Sequence, residues 1–194
     1  AHGVYQPTEF YKAFKNGGLF FLDEMDASVP ETLVILNAAI ANRYFDFPNG
    51  KIEAHPDFRV IAAGNTLGTG ADINYTGRYS LDKASLDRFA IIKIDYSPKI
   101  EFAISGENQE LVNFAHAFRK ATDKAGVECL CGYRAIDRIH KLESVFDDLG
   151  DVISMAVTKG MDTDTMNVLK QRIKEYPGML ENKYTQAFMN MKGE

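Results

Sequence analysis

Two adjacent acidic residues, Asp23 and Glu24, follow a short apolar run at residues 19–22. An acid pair at the end of a buried strand stands where a ligand would bind, because open α/β sheets bind ligands beyond the carboxyl ends of their strands. One carboxylate can hold Mg²⁺, usually through the water shell of the ion, and the other can activate a water molecule for attack. The structural alternative is an acid pair that caps the following helix, with Asp26 as one more solvated charge.

Three further polar residues stand where they could act on a phosphate group. Asn65 ends a second apolar run and could orient an attacking water, although asparagine is also common in turns. Arg88 precedes a third apolar run and could supply positive charge to a phosphoryl-transfer transition state across a subunit boundary. An ion pair with Asp82 or Asp87 is the alternative for this arginine. Arg134 lies in the predicted first turn of a helix, where the helix dipole does not favour a cation, so either a ligand or an ordinary surface position explains it.

The elements that must position these residues differ between the two halves of the sequence. Residues 1–96 hold short apolar runs separated by Gly, Pro and Asn, which indicates an α/β class with a parallel sheet and flanking helices. Residues 97–194 show the spacing of amphipathic helices and predict a small all-helical unit. The predicted strands lie at 19–22, 58–65 and 89–94, the predicted helices at 30–41, 107–125, 134–148, 150–159 and 163–176, and a predicted hairpin at 44–54. After Pro177-Gly178 we expect a loosely ordered end.

The composition excludes several classes of protein. The 194 residues carry 22 basic and 27 acidic side chains, a net charge of −5, and 45% of them are hydrophobic. This is the balance of a soluble globular protein, and its mild acidity argues against broad binding of nucleic acid. Cys129, Cys131 and the four histidines lack the spacing of a zinc site. We expect a cytoplasmic protein, since no apolar run approaches the ~20 residues of a membrane span and no signal peptide is visible.

Taken together, these residues resemble the motifs of the AAA+ ATPases, in particular of their MoxR-like and dynein-related branch. Residues 19–24 resemble the Walker B strand, and the hairpin at 44–54 resembles the insert that this branch carries in its second helix. The run at 77–89, GRYSLDKASLDRF, matches the branch pattern G-x-Y-x-L-x-x-A-x-L-D-R-F at every fixed position. The resemblance extends from about Phe10 to about Leu142, with the motifs in the family's order.

The resemblance implies a role for each candidate residue. By that match Asp23 serves the Mg²⁺ ion, and Glu24 is the base that polarises the attacking water. Asn65 falls on the sensor 1 position, Arg88 on the arginine finger and Arg134 on sensor 2 at the base of a helical lid. The implied cofactors are therefore ATP and Mg²⁺, with Asp23 and Arg134 as the cofactor-binding residues.

One motif of the family has no counterpart in the sequence. The Walker A loop, G-x-x-x-x-G-K-[ST], should lie upstream of Walker B, and few residues precede Leu19. This loop supplies the amides and the lysine that hold the β- and γ-phosphates. The resemblance thus predicts a partial P-loop NTPase (AAA+) core at 1–96, with a gap in its sheet, and a helical lid at 97–194. A fragment of a longer ATPase is the favoured expectation; a natural truncation and a partner chain that fills the gap are the alternatives.

Three functions remain open at this point. The favoured one is a fragment of a Mg²⁺-dependent ATPase that works as a ring, hexameric by resemblance, since an arginine finger serves a neighbouring subunit. Such rings remodel or activate a protein client, often with a von Willebrand factor A-type partner in this branch. The second is a catalytically silent binding or assembly module without a P-loop. The third is a metal-dependent nuclease using Asp23, Glu24 and Asp26, which is disfavoured because the adjacent strand ends in Asn65 rather than in another acid.

Overall fold

The structure is a computed structural model that describes residues 5–66, 68–71, 77–81, 83–127, 129 and 131–191. The chain divides into two compact units, residues 1–92 and 93–194. That these units are an ATPase core and its lid stays a prediction. Within the described part of the chain, no helix is long and apolar enough to cross a membrane.

The first unit is mixed α/β. Its elements are α1 (Glu9–Asn16), β1 (Gly18–Leu22), a 3₁₀ turn (Met25–Ala27), α2 (Pro30–Asn42), β2 (Tyr44–Phe47), β3 (Gly50–Glu53), β4 (Phe58–Ala62) and the single helical turn α3 (Lys83–Leu86). β1 pairs with β4 in parallel, and β2 forms an antiparallel hairpin with β3. Two of the three predicted strands, the helix and the hairpin are confirmed, although β4 ends at Ala62 rather than at residue 65.

Helix α1 covers one face of the β1–β4 sheet and was not predicted from the sequence. The hydroxyl of Thr8 caps it by accepting a hydrogen bond from the amide of Tyr11 at 3.1 Å. The ring of Phe14 packs edge-to-face on Phe58 of β4, with 5.0 Å between the ring centroids, and Phe10 packs in the same way on Phe20 of β1. Edge-to-face aromatic pairs add to the free energy that burial alone supplies, so this cluster anchors the helix to both strands.

Residues 89–94 do not form the predicted third strand. Residues 90–97 have neither helix nor strand structure, and the side chains of Ile92 and Ile94 are 82% and 87% exposed. A β-strand needs backbone hydrogen bonds to a neighbouring strand, and among the described residues the parallel sheet consists of β1 and β4 alone. The prediction was therefore wrong, because an apolar run forms a strand only when a neighbouring strand is present to accept and donate its backbone hydrogen bonds.

The second unit is all-helical, as predicted. Its elements are α4 (Pro98–Ile104), α5 (Gln109–Ala125), α6 (Tyr133–Leu142), α7 (Leu149–Ile153) continued by a π-helical turn (Ser154–Thr158), α8 (Thr163–Ile173) and α9 (Lys183–Asn190). α4 and α9 were not predicted, and the helix predicted at 134–148 ends at Leu142. Long apolar faces, above all on α5, meet in one core that excludes water from this unit.

The described end of the chain is ordered, contrary to the expectation for residues after Pro177-Gly178. The side chain of Asn182 caps α9 by accepting hydrogen bonds from two backbone amides, and the rings of Tyr184 and Phe188 are fully buried. Phe188 packs edge-to-face on Phe118 of α5 with 5.4 Å between ring centroids. Apolar contacts made far along the chain thus outweigh the local turn signal that suggested a loose end.

A buried ion-pair network fixes α4 to α5. The carboxylate of Glu101 is fully buried, and its two oxygens lie 2.6 Å from Nε2 of His116 and 2.7 Å from Nη1 of Arg119. The guanidinium of Arg119 also lies 4.2 Å from the ring centre of Tyr96 and donates a hydrogen bond to the carbonyl of Cys131. Burial opposes ionisation of Glu101, but the hydrogen bonds and positive charge of Arg119 and His116 outweigh it, so the pKa of this carboxyl is lowered.

Replacing Glu101 with glutamine should destabilise the second unit by about 3 kcal/mol, because Arg119 would keep a largely buried charge without its carboxylate. The lowered pKa sets the pH dependence. The contribution of ionised Glu101 to the free energy of unfolding is complete above the ordinary carboxyl pKa. It is lost as the pH falls through the lower pKa of the folded state. Urea unfolding should therefore separate wild type from Glu101→Gln at about pH 7, and the difference should shrink as the pH falls below the ordinary carboxyl pKa.

Glu181→Gln is the matched control, since Glu181 is an exposed acid of the same unit. Its effect should stay within about 0.5 kcal/mol at every pH. Equal stability of Glu101→Gln and wild type near neutral pH would contradict the role given to this network.

Candidate active site

The parallel pairing of β1 with β4 brings the two candidate loops to one edge of the sheet. The last paired residues of the two strands are Leu22 and Ala62. Beyond them the amide of Met25 donates a hydrogen bond to the carbonyl of Ala63 at 2.8 Å, so the pairing continues into the loops. The acid pair and Asn65 thus leave the sheet at the same edge, as predicted from the sequence.

Glu24 has a left-handed backbone, with φ 50° and ψ 45°. Its amide donates a hydrogen bond to Oδ1 of Asp23 at 3.0 Å, and both acidic side chains are exposed. Left-handed backbone costs roughly 1–2 kcal/mol for a residue with a Cβ atom. Such strain persists where surrounding contacts hold it, and it is found most often at functional sites.

An arginine that the sequence analysis did not select holds the carboxylate of Glu24. Two guanidinium nitrogens of Arg78 lie 3.3 Å and 3.5 Å from the two carboxylate oxygens of Glu24. The arginine side chain is 12% exposed, whereas that of Glu24 is 59% exposed. Arg78 occupies a variable position of the pattern at residues 77–89, so the pattern gave no signal for it.

Asp26 is buried, and its interpretation as a solvated charge is wrong. Its side chain is 1% exposed, because the 3₁₀ turn directs it inward. Its Oδ2 accepts hydrogen bonds from the amides of Asn65 and Thr66, at 3.0 Å and 2.7 Å, and from the hydroxyl of Thr66 at 2.9 Å. Its Oδ1 lies 3.8 Å from Nη1 of Arg78. Burial opposes ionisation of Asp26, but these donors and the nearby guanidinium outweigh it and lower the pKa of this carboxyl.

This arrangement bears on the nuclease hypothesis, which needed Asp26 as a metal ligand. The Oδ2 atom of Asp26 is already occupied by three donors of the protein. Among the described residues, no group of three or more His, Cys, Asp or Glu is placed to hold a metal ion. Asp26 therefore acts as a structural connector between loops.

Backbone contacts fix the segment that carries Arg78. The amide of Tyr79 donates to the carbonyl of Asp26 at 2.8 Å, and the amide of Leu81 donates to the carbonyl of Gly68 at 3.0 Å. A β-bridge between Thr69 and Ser80 lies between these two contacts. Arg78 is thus held by backbone hydrogen bonds to the loops that follow both strands of the sheet.

The remaining candidate residues lie at three different places. Asn65 is exposed, and Asp26 holds its amide. Arg88 is exposed after α3, which a hydrogen bond of 2.6 Å from Asn37 of α2 to Ser85 ties to the unit. Arg134 is exposed in the first turn of α6, in the second unit. The structure thus brings Asp23, Glu24 and Asn65 to one edge, and the roles of all five candidates stay predictions. Asp82, a suggested ion-pair partner of Arg88, lies outside the described residues.

Comparison with known families agrees with this arrangement. Residues 2–89 match the AAA domain of the dynein-related subfamily. This part of the chain is an AAA domain. It contains the paired strands, the acid pair, Asn65 and the segment from Arg78 to Arg88.

Relatives of this AAA domain occur in staphylococci. Uncharacterized proteins of Staphylococcus saprophyticus and Staphylococcus haemolyticus are each 35% identical over 88 residues, which is 44% of this chain and 31% of the relative. An uncharacterized protein of Staphylococcus aureus is 34% identical over the same shares. The match thus spans about a third of the length of these curated relatives, and their names state no activity.

The exposed acid at the end of β1 fits the ion that AAA domains typically bind together with ATP. Mg²⁺ keeps several waters and needs only one or two carboxylates from the protein. The carboxylate of Asp23 is exposed, and Oδ1 accepts the amide of Glu24, which fixes the carboxylate at the tip of the strand. Asp23 therefore offers oxygen ligands of the chemistry that a hydrated Mg²⁺ ion requires.

The left-handed backbone of Glu24 predicts an unusual order of stabilities. Glu24→Gly and Glu24→Ala both remove the carboxylate and its ion pair with Arg78, so they differ in backbone alone. At φ 50° glycine lacks the steric cost that alanine keeps. The glycine variant should therefore be the more stable one, by about 0.5–1 kcal/mol in urea unfolding.

The same pair of substitutions at Glu31 provides the control. Glu31 is exposed in the first turn of α2, where alanine should be more stable than glycine by about 0.5–1 kcal/mol. A more stable alanine variant at both positions would contradict the left-handed geometry of Glu24.

Proposed function

We propose that this chain is the hydrolytic part of a longer, Mg²⁺-dependent AAA+ ATPase that works as a ring. The observation that carries the proposal is the edge formed by β1 and β4. There an exposed acid pair and an exposed asparagine leave adjacent parallel strands, with Glu24 held by Arg78. The match of residues 2–89 to an AAA domain of the dynein-related subfamily supports the same reading of this edge.

The proposal gives each polar group at this edge one task. The carboxylate of Glu24 accepts the proton of the attacking water, and the side chain of Asn65 orients that water. Asp23 holds Mg²⁺, which when bound neutralises charge on the phosphate oxygens. Glu24 is suited to proton acceptance because its carboxylate is exposed to the space beyond the sheet while the ion pair restrains it.

Two arginines complete the proposed machinery. Arg88 is exposed, and we assign it to the nucleotide of a neighbouring subunit, so that each site needs two subunits and the working form is a ring, hexameric by resemblance. Arg134 of the second unit contacts the nucleotide in this proposal. The loop that grips the phosphates is assigned to protein outside these residues, since the sequence contains no G-x-x-x-x-G-K-[ST] motif.

The biological output is proposed from the resemblance to the MoxR-like branch. The ring would use hydrolysis in the cytoplasm to remodel or activate a protein client, with a von Willebrand factor A-type protein as one class of partner. The matched staphylococcal proteins are uncharacterized and supply no client.

The experiment that tests the proposed reaction is Glu24→Gln in the intact protein. ATP hydrolysis should fall by about 100-fold or more while binding of Mg²⁺-ATP is kept, because the amide cannot accept the proton of the water. Glu31→Gln, which changes an exposed acid of α2, is the control and should hydrolyse ATP normally. Hydrolysis by Glu24→Gln at the wild-type rate would overturn the assignment of the base.

A mixing experiment with Arg88→Ala tests the ring. Neither Arg88→Ala nor Glu24→Gln should turn over ATP alone, but in rings mixed from equal amounts of the two variants about a quarter of the interfaces would combine an intact base with an intact finger. Partial recovery of hydrolysis is therefore expected. Assembled mixed rings that stay inactive would contradict a role for Arg88 at a neighbour's site.

A further inference from the structure

We propose that Arg78 is a positioning residue for the hydrolytic glutamate, and that Asp26 anchors it. The inference rests on the proposed function, because it concerns the same base. No role follows for Arg78 from the match at residues 77–89, where it stands at a variable position.

The first argument is the geometry of the ion pair. Arg78 presents two nitrogens to the two oxygens of Glu24, at 3.3 Å and 3.5 Å. A planar guanidinium that faces a carboxylate in this way restricts its rotation as well as its position, which a single point charge does not. Glu24 is otherwise a mostly exposed side chain with several free rotamers, so the pair removes a large part of its conformational freedom.

The second argument is that the arginine is itself held firmly. Its side chain is 12% exposed, and its Nη1 lies 3.8 Å from Oδ1 of Asp26. The backbone on its carboxyl side is bonded to the carbonyls of Asp26 and Gly68. A nearly buried, anchored cation can fix an exposed carboxylate, whereas a mobile surface arginine would gain little from the same contact.

The third argument is that Asp26 links the base to the candidate water-orienting residue. The same carboxylate that faces Arg78 accepts the amides of Asn65 and Thr66. One buried acid thus sets the position of the Asn65 loop and, through Arg78, that of Glu24. General-base catalysis needs both groups in register with one water molecule, and a displacement of about 1 Å can cost about 100-fold in rate.

The charge balance favours this role over direct phosphate binding by Arg78. The guanidinium lies between two carboxylates, those of Glu24 and Asp26, so the net charge of the three side chains is −1. A phosphate group approaching Arg78 would have to displace an existing partner and meet two anions. We therefore expect Arg78 to act on the rate of hydrolysis and not on the affinity for nucleotide.

The test is a double-mutant cycle on ATP hydrolysis by the intact protein. Arg78→Gln should lower kcat about 10- to 100-fold, with KM and the Kd for Mg²⁺-ATP unchanged, because the base is displaced while the phosphate contacts remain. In the Glu24→Gln background the same substitution should have no further effect on the residual rate, since no base is left to position. Arg78→Lys should recover part of kcat by restoring the charge without the two-point contact.

Lys83→Gln is the matched control, because it removes an exposed cation from the neighbouring helical turn α3. It should leave kcat and KM at their wild-type values. Each other outcome has a defined meaning. A raised Kd for Mg²⁺-ATP with normal kcat would make Arg78 a phosphate ligand, and equal losses in both backgrounds would make its role structural; either result overturns the inference.

The two proposals can fail separately. If the Glu24→Gln variant hydrolyses ATP at the wild-type rate, Glu24 is not the base, and the proposed function is overturned together with the inference about Arg78. Loss of hydrolysis by Glu24→Gln together with normal kcat for Arg78→Gln leaves the proposed function in place and overturns the inference about Arg78 alone.

Discussion

The parallel pairing of β1 with β4 is the constraint on which the candidate site depends. Because both strands run to the same edge, the residues that follow them leave the sheet side by side. Helix α1 secures the pair on one face through aromatic packing. On the other face Leu19, Phe21 and Ile61 are 59%, 54% and 51% exposed, although parallel sheets are ordinarily covered on both faces. This bare apolar face is what the proposed place within a longer ATPase leads one to expect.

The loops beyond the strands are organised by charge rather than by apolar packing. Asp26 is buried, with three donors on Oδ2 and the guanidinium of Arg78 near Oδ1, and it joins the turn after β1, the loop after β4 and the segment of Arg78. Solvent exposure therefore increases from the buried Asp26 through the nearly buried Arg78 to the exposed Glu24. A rigid interior that supports one accessible carboxylate is the arrangement that general-base chemistry requires.

Some of this could be predicted from the sequence and some could not, for physical reasons. The strands β1 and β4 and the acid pair are local signals, because apolar runs and residue order specify them directly, whereas the burial of both strand faces that such runs suggest is not found. The prediction of a strand at 89–94 was wrong because a strand needs hydrogen bonds to a neighbouring strand. Helix α9 was missed because aromatic packing on α5 stabilises it. Asp26 and Arg78 could not be recognised, since their partners lie 39 and 54 residues away along the chain. The roles of Arg88 and Arg134 stay predictions from resemblance.

The most direct test of the central claim is a crystal structure of the intact Glu24→Gln protein with Mg²⁺-ATP. The account predicts the γ-phosphate beyond the carboxyl ends of β1 and β4, with Mg²⁺ beside Asp23 and a water between the phosphate and residue 24. Arg78 should contact the side chain at position 24 and not the phosphate. Nucleotide bound elsewhere in the intact protein, with this edge of the sheet facing only solvent or protein, would contradict the account.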